Sequence, residues 1–132
     1  RSKKRLEQSG FKLDRRVIQH EPLGFHDYNH LQMNAYAVVS DSGTLPEESS
    51  YFTSIGKPFP AVCIRTSTER PEALDAGTVR LVGTDYGKIV TEVSALLNEP
   101  ARYEAMSHAV NPYGDGLACC RIADFLEKEV QV

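Results

Sequence analysis

An α/β fold with a parallel sheet is the class this sequence predicts, and three stretches carry the prediction. Residues 35–56 and 60–77 each run from a short apolar segment through a polar turn into a helix-like segment, and residues 87–100 carry apolar side chains at helical spacing. The first apolar segment, AYAVVS (Ala35–Ser40), is β-branched and nearly uncharged, which suits a strand buried on both faces. DSGT interrupts it with turn and N-cap residue types. Pro46 is tolerated in a first helical turn, and Glu47 and Glu48 fall where the helix dipole favours carboxylates, so a helix is expected from about Thr44. Thr44 and Glu47 match the S/T-x-x-E capping box. Leu45, Tyr51, Phe52 and Ile55 supply a core side, and Gly56 ends the helix. The second unit repeats the plan, with PAVCIR (Pro60–Arg65) as a buried strand, TSTE as a turn and RPEALDAG as a short helix closed by Gly77. Two consecutive units of this kind imply parallel pairing. Both turns then share the carboxyl edge of the sheet, where open α/β folds bind ligands.

The remaining elements follow in order. Ser2 to Ser9 reads as a helix stopped by Gly10. Phe11 to Arg16 is a charged connector, and RVIQHEP (Arg16–Pro22) is a strand candidate through Val17 and Ile18. Gly24 marks a turn. A helix is expected from Asp27, capped by that residue, with Leu31, Met33 and Ala35 facing the core. TVRLVG after Gly77 reads as a fourth strand. GKIVTEVSALLNEP is a clear helix, with Ile89, Val90, Val93, Leu96 and Leu97 three and four residues apart. A further helix is expected from Ala101 to Ala109. NPYGDG is a dense turn, and Leu117, Cys120, Ile122, Ala123 and Leu126 suggest a final amphipathic helix. The expected sum is four parallel strands and six or seven helices in one domain spanning 1–132.

At 132 residues the chain has room for one domain, and 41% hydrophobic with 25% charged residues is an ordinary globular composition. No apolar run approaches the ~20 residues of a membrane span. A net charge of −3 argues against a broad nucleic-acid footprint, and the basic cluster Arg1–Arg5 reads as a solvated helix face. Cys63, Cys119 and Cys120 form neither a disulfide framework nor a zinc spacing, so a reducing cytoplasm is the expected setting.

Chemistry concentrates at the two turns. Ser42, Gly43 and Thr44 open a helix whose N–H groups suit an anion, and Arg70 brings a guanidinium to the same edge. The alternative reading is that Ser42, Thr44 and Glu47 only cap a helix while Arg70 pairs with a neighbouring glutamate. Tyr28 can stack on a base or simply pack. His26 and His30 are spaced i, i+4, yet no third ligand is evident, so no metal is expected. The glycine-rich turns lack P-loop and G-x-G-x-x-G spacing, and there is no G-x-S-x-G elbow.

DSGTLPEES, GKPFPAVCIRTSTERPEALDAGTVRLVGTD and NPYGDGLACCRI together resemble the nucleotide-binding C-terminal domain of the non-hydrolysing UDP-N-acetylglucosamine 2-epimerase family. The likeness spans almost the whole chain. It implies a Rossmann-like parallel sheet flanked by helices, the later part of the C-terminal domain of a B-type glycosyltransferase-like fold, truncated on its N-terminal side. Carried over by motif, Ser42, Gly43 and Thr44 hold a diphosphate at a helix N-terminus. Glu48 then binds ribose hydroxyls, Arg70 the diphosphate, and Tyr28 lies beside uracil. The implied reaction is interconversion of UDP-GlcNAc and UDP-ManNAc by elimination and re-addition of UDP, with no cofactor. The acids and bases lie by resemblance on a missing amino-terminal domain, so no catalytic residue is expected here, and the full-length protein is expected to be a homodimer. DSGT and EESS, with GFHDYNHLQMNA before them, are more similar to relatives acting at C2 of 6-deoxy UDP-aminosugars on the way to N-acetyl-L-fucosamine. That substrate is therefore an alternative, as is a non-catalytic UDP-sugar-binding module.

Overall fold

The computed structural model describes residues 2–130, so Arg1 of the basic cluster lies outside the described residues. Three parallel strands, β1 (Val38–Ser40), β2 (Ala61–Cys63) and β3 (Val79–Leu81), form a sheet in the order β1-β2-β3. Val39 aligns with Val62 and Val62 with Arg80. The helices are α1 (Ser2–Ser9), α2 (Phe25–Met33), α3 (Leu45–Ser54), α4 (Pro71–Ala76), α5 (Tyr86–Asn98), α6 (Pro100–Ser107) and α7 (Ala118–Val130).

The central strand divides the core. Side chains alternate across a strand, so Ala61 and Cys63 face one side and Val62 the other. Ala61 and Cys63 pack with Leu45 and Phe52 of α3, Ala73 of α4, Val79 of β3 and Phe59 just before β2. Val62 packs with Leu96 and Met106 from α5 and α6. A salt bridge ties those two helices, with Arg102 Nη2 donating to both oxygens of Glu92 at 2.6 Å. On the opposite face α3 is seated by hydroxyls. Ser49 Oγ donates to the carbonyls of Phe59 (3.0 Å) and Thr78 (3.4 Å), and the Ser50 and Thr78 hydroxyls lie 3.3 Å apart.

Helix ends follow the expected chemistry in several places. Asp85 caps α5 by accepting from the Lys88 amide at 2.9 Å. Beyond α3, the Gly56 amide bonds the Thr53 carbonyl and the Lys57 amide the Phe52 carbonyl. That double closure needs the left-handed conformation Gly56 adopts at φ 74°.

Other expectations are corrected. Arg16–Pro22 is not a strand, so the sheet has three strands rather than four. The Val17 amide closes a turn onto the Asp14 carbonyl, and Ile18 is 81% exposed. The segment makes no pairing with the open edge of β1. β1 begins at Val38 and is an edge strand, with Val39 44% exposed rather than buried on both faces. Upstream, Tyr36 leaves the sheet to stack on Tyr103, ring centroids 4.2 Å apart, and donates to the Leu96 carbonyl. Helix α2 starts at Phe25 with Gly24 at its cap; Asp27 makes no cap, Leu31 is exposed, and the buried residue is Gln32. Tyr51 and Ile55 of α3 are exposed, while Ser49 and Ser50 occupy the core side. Helix α7 forms where expected, but Ile122, Phe125 and Leu126 are exposed on it.

Candidate functional site

The turn between β1 and α3 is built from side chains bonding nearby backbone. The Ser42 amide donates to Ser40 Oγ at 3.0 Å and the Thr44 amide to Ser42 Oγ at 3.3 Å, holding the chain in a tight turn. The capping box does not form. Thr44 makes no side-chain cap, and its hydroxyl donates instead to Glu48 Oε1 at 2.6 Å, one turn along. Because that bond uses the only proton of Thr44, the 2.9 Å contact between the Ser42 and Thr44 hydroxyls runs from Ser42 to Thr44.

Glu48 is where these donors converge. Its Oε2 accepts from Gln32 Nε2 at 2.6 Å and from the Tyr28 hydroxyl at 3.3 Å, and Gln32 Nε2 also donates to the Tyr28 oxygen at 3.0 Å. Helix α2 makes this possible, since Tyr28 and Gln32 are one turn apart and share a face. Partial burial, followed by the Glu48 charge and its hydrogen bond, holds the Tyr28 phenol above the ordinary tyrosine range. Four of the six residues singled out in the sequence, Tyr28, Ser42, Thr44 and Glu48, thus form one connected network, with Gly43 in its turn.

The first turn of α3 leaves donors free. Among the described residues the backbone N–H groups of Gly43, Leu45 and Glu47 carry no hydrogen bond, and Pro46 has none to offer. They gather at the positive end of the helix dipole. A Cβ at Gly43 would stand 3.2 Å from Arg65 Nη1, so a larger residue there would have to displace the end of that side chain.

Arg70 lies outside the network. Its Nε is paired with Glu47 Oε1 and its Nη1 donates to the Glu69 carbonyl at 3.3 Å, which leaves other guanidinium N–H groups for a ligand. The pairing with Glu47 raises the Arg70 pKa further. Three neighbours escaped the sequence reading. Gln32 carries its signal only as a polar residue one turn from Tyr28. Arg65, at the end of β2, reaches back to Gly43 and is paired with Glu69 at 3.0 Å. For Tyr113 of NPYGDG, desolvation first, then the charges of Glu47 and Glu72, hold the phenol above the usual range, with Arg70 opposing. Beside Arg65 opens a cleft of about 700 Å³, lined also by Thr66, Gly83, Asp85 and Lys88, which holds none of the six sequence-derived residues. Among the described residues no group of three or more His, Cys, Asp or Glu side chains is placed to hold a metal ion.

The profile of the UDP-N-acetylglucosamine 2-epimerase family matches residues 1–127. The chain belongs to this family. It is 48% identical over 111 residues to the Escherichia coli K12 UDP-N-acetylglucosamine 2-epimerase, covering 84% of this chain and 28% of the relative. A solved structure of a putative family epimerase from Listeria monocytogenes superposes on 98% of the chain and 33% of its own length, with a TM-score of 0.81 at 32% identity. The Neisseria meningitidis epimerase, solved with UDP-GlcNAc bound, matches 82% of this chain and 28% of its own length, with a TM-score of 0.72 at 36% identity. The chain therefore spans about a third or less of the epimerases it matches. Both the epimerase resemblance and the parallel α/β architecture expected from the sequence hold.

Proposed function

We propose that this chain is the UDP-binding portion of a UDP-N-acetylglucosamine 2-epimerase. The observation that carries the reading is the convergence of Tyr28, Thr44 and Gln32 on Glu48, directly beside the free N–H groups of Gly43, Leu45 and Glu47. One carboxylate and one cluster of amides are set side by side. The first suits the paired hydroxyls of a ribose and the second the charge of a diphosphate. Tyr28 then lies at the uracil side of the carboxylate. Arg70, sharing its guanidinium with Glu47, adds a cation at the diphosphate end. The UDP-GlcNAc bound to the Neisseria relative supports the ligand class.

In the reaction proposed for the intact protein, a base takes the C2 proton of the sugar and the C1–O bond breaks. The bonding pair leaves on the β-phosphate oxygen, giving a glycal and UDP. Re-addition of UDP at C1, with a proton delivered to the other face of C2, inverts that centre. The residues described here do not move the proton. They hold UDP through the interval and stabilise the charge that develops on it, which requires donors already oriented before the bond breaks. The acids and bases are assigned to an amino-terminal domain, and the intact protein is read as a cytoplasmic homodimer. No helix among the described residues is long and apolar enough to cross a membrane.

Calorimetry of the intact protein with UDP tests the binding reading, and absence of binding overturns it. Incubation with UDP-GlcNAc in deuterium oxide tests the reaction, with deuterium expected at C2 of recovered substrate and product. UDP binding without exchange from UDP-GlcNAc, but with exchange from a 6-deoxy UDP-aminosugar, supports the alternative substrate suggested by DSGT and EESS. Binding without exchange from either favours the non-catalytic module.

A further inference from the structure

Gln32 is 3% exposed, and its carboxamide is used on one side only. Nε2 spends its two protons on Glu48 Oε2 (2.6 Å) and the Tyr28 oxygen (3.0 Å), whereas Oε1 is buried with no partner. The amide cannot turn over to relieve this, because Oε1 would then face the Glu48 carboxylate. An unpaired buried carbonyl is unfavourable, and an apolar side chain of the same length would fill the space without that cost. Packing therefore does not account for the residue.

We propose that Gln32 is a positioning residue for nucleoside recognition. It acts through Glu48, and the inference rests on the UDP reading above. Thr44 fixes one carboxylate oxygen and Gln32 the other, so the plane of the carboxylate is set before a ligand arrives. Gln32 also holds the phenol of Tyr28 against the same oxygen, coupling the proposed ribose and uracil contacts. With Gln32 removed, Oε2 keeps only the 3.3 Å contact from Tyr28, and both side chains gain rotameric freedom that ligand binding must remove. The amides of Gly43, Leu45 and Glu47 are untouched by the change, so the effect is confined to the nucleoside half of the ligand.

The test is Q32M in the intact protein, titrated with UDP, uridine and inorganic pyrophosphate, alongside thermal melts. The expected result is about tenfold weaker UDP and uridine binding, unchanged pyrophosphate binding, and a melting temperature equal to or above that of the unsubstituted protein. Unchanged UDP and uridine affinity overturns the proposal, and so does an equal loss for pyrophosphate, which would show a purely structural role. Failure of the unsubstituted protein to bind UDP overturns the nucleotide reading and this inference with it. A second measurement needs no variant: the side-chain amide resonances of Gln32 should exchange slowly with solvent and shift with uridine but not with pyrophosphate. Resonances that ignore uridine overturn the proposal even if Q32M does not fold.

Discussion

On one face of the sheet α5 and α6 press Leu96 and Met106 onto Val62, while on the other α3 is seated through the hydroxyls of Ser49 and Ser50. The first contact is apolar and non-directional, so it sets how strongly the layers adhere more than where each atom lies. The second is directional. A hydroxyl bonded to two carbonyls defines the height and rotation of α3, and with them the positions of Thr44 and Glu48. Both faces adhere, the α3 side through the larger apolar cluster around Leu45, Phe52 and Phe59. The α3 side adds placement by hydroxyls to that adhesion, and the proposed binding chemistry hangs from it.

The largest effect should come from breaking the apolar contact on the α5–α6 face. Leu96→Ala removes a fully buried side chain and should cost about 2–5 kcal/mol in denaturant unfolding. UDP affinity measured under conditions where the variant is folded should be unchanged; a parallel loss of affinity would break the contrast between the faces.

Next come two substitutions on the placement face that should separate by ligand. Arg70→Ala should weaken UDP and pyrophosphate about tenfold and leave uridine alone. Equal losses for uridine would remove Arg70 from the diphosphate. Glu48→Gln should weaken UDP and uridine by about 1.5–3 kcal/mol, the scale of a charge-assisted hydrogen bond, and spare pyrophosphate. If pyrophosphate suffers as much as UDP, Glu48 serves only to hold the turn.

The smallest effect is a pH dependence. The phenol of Tyr28 is held above its ordinary range by burial and by Glu48, so the folded state retains that proton at a pH where the unfolded chain releases it. The resulting stability is fully present below about pH 10, the ordinary tyrosine value, and is lost as pH rises through the folded value. Melts between pH 9 and 11 should show Tyr28→Phe losing less stability than the unsubstituted protein. Identical slopes would show that neither burial nor Glu48 shifts the Tyr28 phenol.

The α5–α6 face was the more legible of the two in the sequence. The spacing of Ile89, Val93 and Leu96 announces α5 because apolar periodicity is what adhesion requires. The placement face was misread where it relies on polar atoms. Tyr51 and Ile55 looked like the core side of α3, but Ser49 and Ser50 hold that position, Ser49 bonding the carbonyls of Phe59 and Thr78 and Ser50 the Thr78 hydroxyl. The same blindness hid Gln32, since a buried glutamine has no periodic signature. Thr44 and Glu47 matched a capping pattern, yet Thr44 turned to Glu48 one turn along and Glu47 to Arg70, which is distant in sequence. The strand expected at Arg16–Pro22 failed for a related reason, because local β propensity does not by itself bring a segment into a ladder.

The hydroxyl of Ser49 also bears on the order of events in folding. Its two acceptors, the Phe59 and Thr78 carbonyls, lie at the starts of β2 and β3 and are brought together only when those strands pair. Until then α3 has no double anchor, so its docking should fall after the folding transition state. Ser49→Ala is accordingly expected to accelerate unfolding while leaving the refolding rate nearly untouched in stopped-flow chevrons, and slowed refolding would place the docking earlier. In that sequence the proposed nucleotide site is the last region to mature, and it can form only after the sheet beneath it exists.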